Sequence, residues 1–440
     1  MVATKECEPK EQAVAPCICQ HLWMLHGHRY DLSEFVSRHP GGASFLLAVK
    51  GNDITELFES VHQLSSRDFD AILSKYVAEC PAHPTCLPEL FAWDRKNAHF
   101  FHRLRDEVKL YFSERKLSYK APVSYWIAVV ALLLCIIASC LLWIQNSNSV
   151  FAFVSGVLSM LFNFMVMHAA SHGALSDQSW VNWSLYAFWS DWMAWPHIIW
   201  FQHHIYGHHS YTGIYGKDPD LRNMNPFARK HYSQKQTKLG EQQGWLGVLV
   251  MTIFPNQHLG QMISYLVASF RRKLFGMPIS LTNRTLGDTI MYFTVSLGMV
   301  TALFFVPILK NGFWTHLASV FAYLAGCGLI YWALVFPNHD TEELVVNCGK
   351  ATNDWAKSQI LHSSNFWVPE FVAQLMGGMN YQIEHHLFPA VHPAHYKNLS
   401  VIVKRICAEF DLPYTCHPTW LSALSSHLRF LRLLARPKSQ

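Results

Sequence analysis

The stretch PVSYWIAVVALLLCIIASCLLWIQNSNSVFAFVSGVLSMLFNFMVMHAASH, Pro122 to His172, decides the fold. Pro122 to Ile144 carries no charged residue and is long enough to cross a hydrocarbon core of about 30 Å. Val150 to Ala170 is long enough as well, and the polar turn QNSNS joins the two into a helical hairpin. The second span runs directly into His168 and His172. Metal-binding side chains at the edge of a membrane are functional by default, because placing them there is costly.

A second hairpin follows the same plan: Leu286 to Leu309, with Asp288 at its edge, and Phe313 to Phe336, separated by Lys310-Asn311-Gly312. The expected fold class is an α-helical membrane protein with four transmembrane helices. Its 51% hydrophobic composition is too apolar for an ordinary soluble enzyme. Four spans put both termini on one side. The basic stretches Arg95 to Lys120, Arg271-Arg272-Lys273 and Arg429 to Lys438 lie outside the two hairpin turns, so that side is expected to be cytosolic. With no apolar N-terminal segment the first span is the expected insertion signal, and the endoplasmic reticulum membrane the expected location. Trp180 to Trp200, broken by Asp191 and Pro196, and Leu246 to Phe270, broken by Pro255 and His258, read as interfacial helices. The net charge of +5 is explained by the basic flanks, and no basic face interleaved with aromatics points to nucleic acid. Eleven cysteines without framework spacing fit reduced thiols.

Three histidine clusters lie beside these apolar runs: His168-AAS-His172, His204-IYG-His208-His209 and Gln382-IE-His385-His386. Residues four apart on an α-helix share a face, about 6 Å apart, where both can reach one cation. Together the clusters offer enough imidazole nitrogens for two metal ions. Imidazole suits iron, copper, zinc or nickel, and the absence of cysteine from the clusters argues against a structural zinc or an iron–sulfur centre. Beside the membrane this points to metal-based oxidation of a lipid. His203 is the alternative to His204, which has the four-residue spacing to His208. His197, His231, His258, His316, His362, His392, His417 and His427 have no partner at metal spacing and read as satisfied or solvated side chains. The turn Asp218-Pro219-Asp220 either orders the site or starts a loop.

Residues 1–80 differ in kind, being mixed polar and apolar with no span, and read as a separate small domain. Within them Trp23, Tyr30-Asp31-Leu32, Val36, His39-Pro40-Gly41-Gly42, Gly51, Ile54-Thr55, Phe58 and His62 resemble cytochrome b5. The resemblance implies an α+β module holding haem b between His39 and His62, although His62 follows Phe58 one residue sooner than in free cytochrome b5, and His21, His26 and His28 stand nearby. With two protein ligands a haem has no open site, so the module would carry electrons only. Residues 81–121, opening with Pro81, Pro84 and Pro88, read as a linker and pre-membrane helix, and 122–440 as the membrane domain.

The order of haem module, HxxxH, HxxxHH and QxxHH is similar to the front-end fatty acyl desaturases. So are Asp354-Trp355 with Gln359, Gly377-Gly378 with Tyr381, and the tail His395-Tyr396, Val403-Lys404, Cys407 and Pro413-Tyr414. The resemblance implies two non-haem iron ions on His168, His172, His204, His208, His209, His339, Gln382, His385 and His386, with His339 supplied just beyond the last span. It also implies dioxygen as co-substrate, an acyl-CoA or acyl-lipid substrate that gains a cis double bond, and electrons from NADH through a separate cytochrome b5 reductase. No GxGxxG unit between a strand and a helix is present to bind NADH in this chain. The same ligands would serve a sphingolipid desaturase or a lipid hydroxylase. A rival of another class is a membrane haem protein that only relays electrons.

Overall fold

The computed structural model describes residues 21–78, 90–253, 258–271, 273–274, 277–278, 285–347 and 352–436. The proline-rich start of the linker, Pro255 and Arg272 lie outside them. Among the described residues four helices are long and apolar enough to cross a membrane: Val123–Asn146, Ser149–Ser171, Leu286–Asn311 and Phe313–Asn338. The first is mostly open to its surroundings, as a lipid-facing helix is, whereas the second is largely buried.

The second and fourth spans cross at reciprocal glycines. A Cβ on Gly156 would stand 2.1 Å from the Tyr323 carbonyl oxygen, and one on Gly326 would stand 2.3 Å from that of Phe153. Only a missing side chain lets the two backbones approach so closely. Trp143 of the first span donates to Ser319 Oγ at 2.7 Å and stacks on Tyr323, tying the first span to the fourth. His316 is satisfied at the hairpin turns, between Ser147 Oγ and the Leu303 carbonyl, both at 2.8 Å.

The expected interfacial segments are helices shorter than a span: Ser179–Trp192 and His197–Trp200, then Leu246–Ile253 and His258–Arg271. The third span holds the first pair, since Ser296 Oγ donates to the Asp191 carbonyl at 2.7 Å and Tyr292 to that of Ala194 at 3.1 Å. On the site side of the spans, the pre-membrane helix His99–Arg115 packs on the late helix Tyr396–Glu409. Asp354 joins these layers: its carboxylate accepts from Phe101 N at 3.1 Å and caps the helix Trp355–Leu361.

The expected helical spacing of the first two clusters is altered. His168 closes a π-helical segment, Asn163–His168, and His204 and His208 lie in another, Phe201–His208. A π-turn carries one more residue per turn than an α-helix and re-aims the side chains around it, which is why such turns gather at functional sites.

The haem-like module is a hairpin of Trp23–Leu25 and His28–Tyr30 with helices Ala43–Ala48, Thr55–His62 and Phe69–Leu73. It lies against the side of the membrane domain that carries the histidine clusters.

Candidate metal centre and haem pocket

His168, His172, His204, His209 and His385 bring one ring nitrogen each within 4.8 Å of one another, and His208, His339 and His386 do the same beside them. Within the first group Nε2 atoms approach closely: His168 to His204 at 2.9 Å, His204 to His209 at 3.2 Å and His209 to His385 at 3.1 Å. The second and third clusters each feed both groups. Gln382 stands at the second group, its amide nitrogen 3.0 Å from His339 Nε2 while its Oε1 accepts from Asn338 at 3.1 Å.

The donor set fits metal ions. His339 Nδ1 donates to the His362 carbonyl at 2.8 Å, His386 Nδ1 to Gln359 Oε1 at 3.0 Å and His385 Nδ1 to the Tyr396 hydroxyl at 3.2 Å. Partners on the outer nitrogen fix tautomer and ring orientation and leave Nε2 for a cation. The Nε2 atoms of His172 and His386 are buried without a hydrogen-bond partner, an expensive arrangement unless something else satisfies them. Burial, then neighbouring imidazoles, holds the pKa of His172, His204, His209, His385 and His386 well below its ordinary value, and burial takes His339 down to about 3. Neutral imidazole is the form that binds metal.

His208 is the exception. Burial pulls its pKa down, but the Asp218 and Asp220 carboxylates outweigh that and raise it. Asp218 lies 3.1 Å from His208 Nδ1 and also accepts from Gly213 N at 2.8 Å. The Asp218-Pro219-Asp220 turn therefore orders the site. His203 pairs with Asp220 outside both nitrogen groups, and His204 is the one that enters the first group. His362, read as a side chain without a metal partner, meets the site through its carbonyl. Sequence reasoning missed Thr212, Gln359 as the acceptor behind His386, and Glu384, whose carboxyl burial raises to about 7 while it accepts from Asn365 and Tyr414. Their only signal was proximity to the clusters and membership in the matching segments. A recess of about 40 Å³ lined by His208, His339, Asp220, Lys230 and Asp340 adjoins the second group, room for a water molecule.

In the front module His39 and His62 face each other across a cavity of about 500 Å³, their rings 6.3 Å apart. His39 Nδ1 donates to the Gly42 carbonyl at 3.0 Å and His62 Nδ1 to that of Phe58 at 2.9 Å, so both keep Nε2 for an axial bond. A Cβ on Gly41 would sit 2.7 Å from His39 Cε1, so the glycine is what lets the ring fold back over the turn. Burial takes His62 down to about 4 and lowers His39. The apolar walls, with Leu32, Phe35, Phe58 and Val61 among them, suit a porphyrin.

Residues 145–418 match the fatty acid desaturase family and residues 19–79 match the cytochrome b5-like haem/steroid binding domain. The chain is 27% identical to the acyl-lipid (8-3)-desaturase of Mortierella alpina, with 94% of each chain covered. It is 28% identical to the acyl-lipid (8-3)-desaturase of Physcomitrium patens, over 93% of this chain and 87% of that one. With the acyl-lipid (7-3)-desaturase of Rebecca salina the identity is 29%, over 93% and 90%. A membrane helix bundle ending in histidine groups, joined to a haem pocket, is thus accounted for on both sides: the chain belongs to the fatty acid desaturase family, as an oxidoreductase of the front-end type with a fused cytochrome b5 domain.

Proposed function

We propose that this chain introduces a cis double bond into an unsaturated acyl chain carried on a lipid, at the cytosolic face of the endoplasmic reticulum, using electrons passed through its own haem domain. The observation that carries this is the convergence of eight histidines from four separate segments into two nitrogen groups at the ends of the second and fourth spans. The acyl-lipid carrier is what the Mortierella alpina and Physcomitrium patens relatives are named for.

Two iron ions held by His168, His172, His204, His209 and His385 and by His208, His339 and His386, with Gln382 beside His339, would supply with dioxygen the oxidising power that an unactivated methylene requires. A haem between His39 and His62 would supply one-electron relay. The chain contributes placement. Its spans end at the nitrogen groups, so an acyl chain entering between them is brought to the site in a fixed orientation. Asp218 holds the proton on His208 Nδ1 and turns Nε2 toward the second group. Burial keeps the other imidazoles neutral. Electrons enter from NADH through a separate reductase.

Expression in a host without polyunsaturated fatty acids, fed a panel of unsaturated acids, tests the reading. A new double bond that disappears in His385→Ala is expected; hydroxylated products alone would assign the chain to the hydroxylases. Purified protein is expected to hold two non-haem irons beside one haem, where an electron relay would hold haem alone.

A further inference from the structure

The helix that carries the second histidine cluster has a second set of contacts, on the haem module. Tyr206 donates to the Asp53 carbonyl at 3.0 Å, Tyr211 to Glu56 Oε2 at 3.0 Å, and Gln202 to the Ala48 carbonyl. Gln202 and Tyr206 are four residues apart and share a face, whereas His204 and His208 point to the nitrogen groups. Phe45 of the module wedges between Phe201 and Trp183, its ring 5.8 and 5.1 Å from theirs. The haem cavity itself extends to this surface, since His172 of the first nitrogen group lines it together with His39 and His62.

One contact lies on a short route between the two centres. Gln63 follows His62 directly, and its amide donates to the Leu387 carbonyl at 2.6 Å and to Ser60 O at 3.1 Å. Leu387 follows His386 directly. On this route a single hydrogen bond is therefore the one noncovalent step between an axial haem histidine and a histidine of the metal centre. Gln63 is buried, so water does not compete for that bond.

We propose that the haem module works while docked on the second-cluster helix, and that Gln63 is the positioning residue that joins His62 to His386 for electron transfer. The proposal rests on the desaturase reading. One electron leaves reduced haem iron, which becomes ferric, and reduces the metal centre by one; no bond is made or broken, and the reductase restores the haem.

The test uses the full chain loaded with haem and iron, reduced anaerobically and mixed with oxygen and an accepted acyl substrate while haem absorption is followed. In Gln63→Met, reoxidation of the haem is expected to slow about five- to tenfold, the effect of one lost hydrogen bond on the docked population. The haem spectrum, iron content and rate of haem reduction by the reductase are expected to stay at wild-type values, which a general folding defect would not allow. The double variant Tyr206→Phe, Tyr211→Phe removes only two hydroxyls and is expected to slow reoxidation in the same way. Wild-type reoxidation rates in both proteins would overturn the bridge and leave the desaturase reading standing. A wild-type chain whose haem is never reoxidised in a substrate-dependent way would overturn both.

Discussion

His208 is the one ring of the two nitrogen groups with a carboxylate at hydrogen-bond distance from Nδ1 among the described residues. Asp218→Asn keeps the shape but loses the charge that holds this tautomer. We expect iron occupancy or turnover to fall ~10–100-fold, as is usual when a partner behind a ligand is altered. Unchanged iron content and product yield would make Asp218 a loop residue only. Gln382 can offer an amide oxygen or an amide donor, never an imidazole nitrogen. Gln382→Ala is expected to lose activity by a similar ~10–100-fold, whereas His386→Ala abolishes it; wild-type product from Gln382→Ala would leave the glutamine without a part in the chemistry. The clusters stood out by their spacing, but the spacing for which His204 was preferred over His203 does not bring it to one cation with His208: His204 falls in the first nitrogen group and His208 in the second. The outer-nitrogen partners were not legible, because Thr212, Gln359 and the His362 carbonyl come from segments whose approach no local pattern encodes.

At the scale of elements, the segment before the third cluster is held against the first by a glycine in the left-handed region. Gly377 has φ +63°, and a Cβ there would stand 2.5 Å from the Phe164 carbonyl, inside the π-turn that ends at His168. Gly377→Ala forces that turn and the helix Gln382–Leu387 apart. A loss of about 1–3 kcal/mol in stability is expected, with iron content falling in parallel. A variant with wild-type thermal midpoint and full iron would show that the approach can relax. The four spans were readable because an uncharged apolar run of about 20 residues matches the thickness of a bilayer and exceeds what a soluble core helix needs. The π-turns were not: their surplus residue leaves no mark in the hydrophobic pattern, and the four-residue spacing suits an α-helix equally well. The haem module was recognisable from its turn and its two histidines, but its docking depends on Phe45, Glu56 and Gln63 meeting partners more than a hundred residues away.

For the whole molecule, acid is the expected weak point. His62 and His339 have pKa values of about 4 and about 3 in the fold, against about 6.5 in an unfolded chain. Below pH 6.5 the unfolded chain therefore binds protons that the folded one refuses, and stability falls as pH drops from there toward 4. Protein stripped of haem and iron is expected to melt at a lower temperature at pH 5 than at pH 7; equal midpoints would mean that these imidazoles are not buried. The two nitrogen groups are built from shared segments, the second cluster giving His204 and His209 to one and His208 to the other, the third giving His385 to one and His386 to the other. Each ion thus acts as a rivet across chain segments far apart in sequence, and setting the first rivet lines up the second hole. Loading is expected to be all-or-none: in a titration of stripped protein with ferrous ion, followed by native mass spectrometry, empty and doubly filled species predominate and the half-filled one stays scarce. A chelator then removes both ions together, and what it leaves is a chain with several of its long loops unpinned.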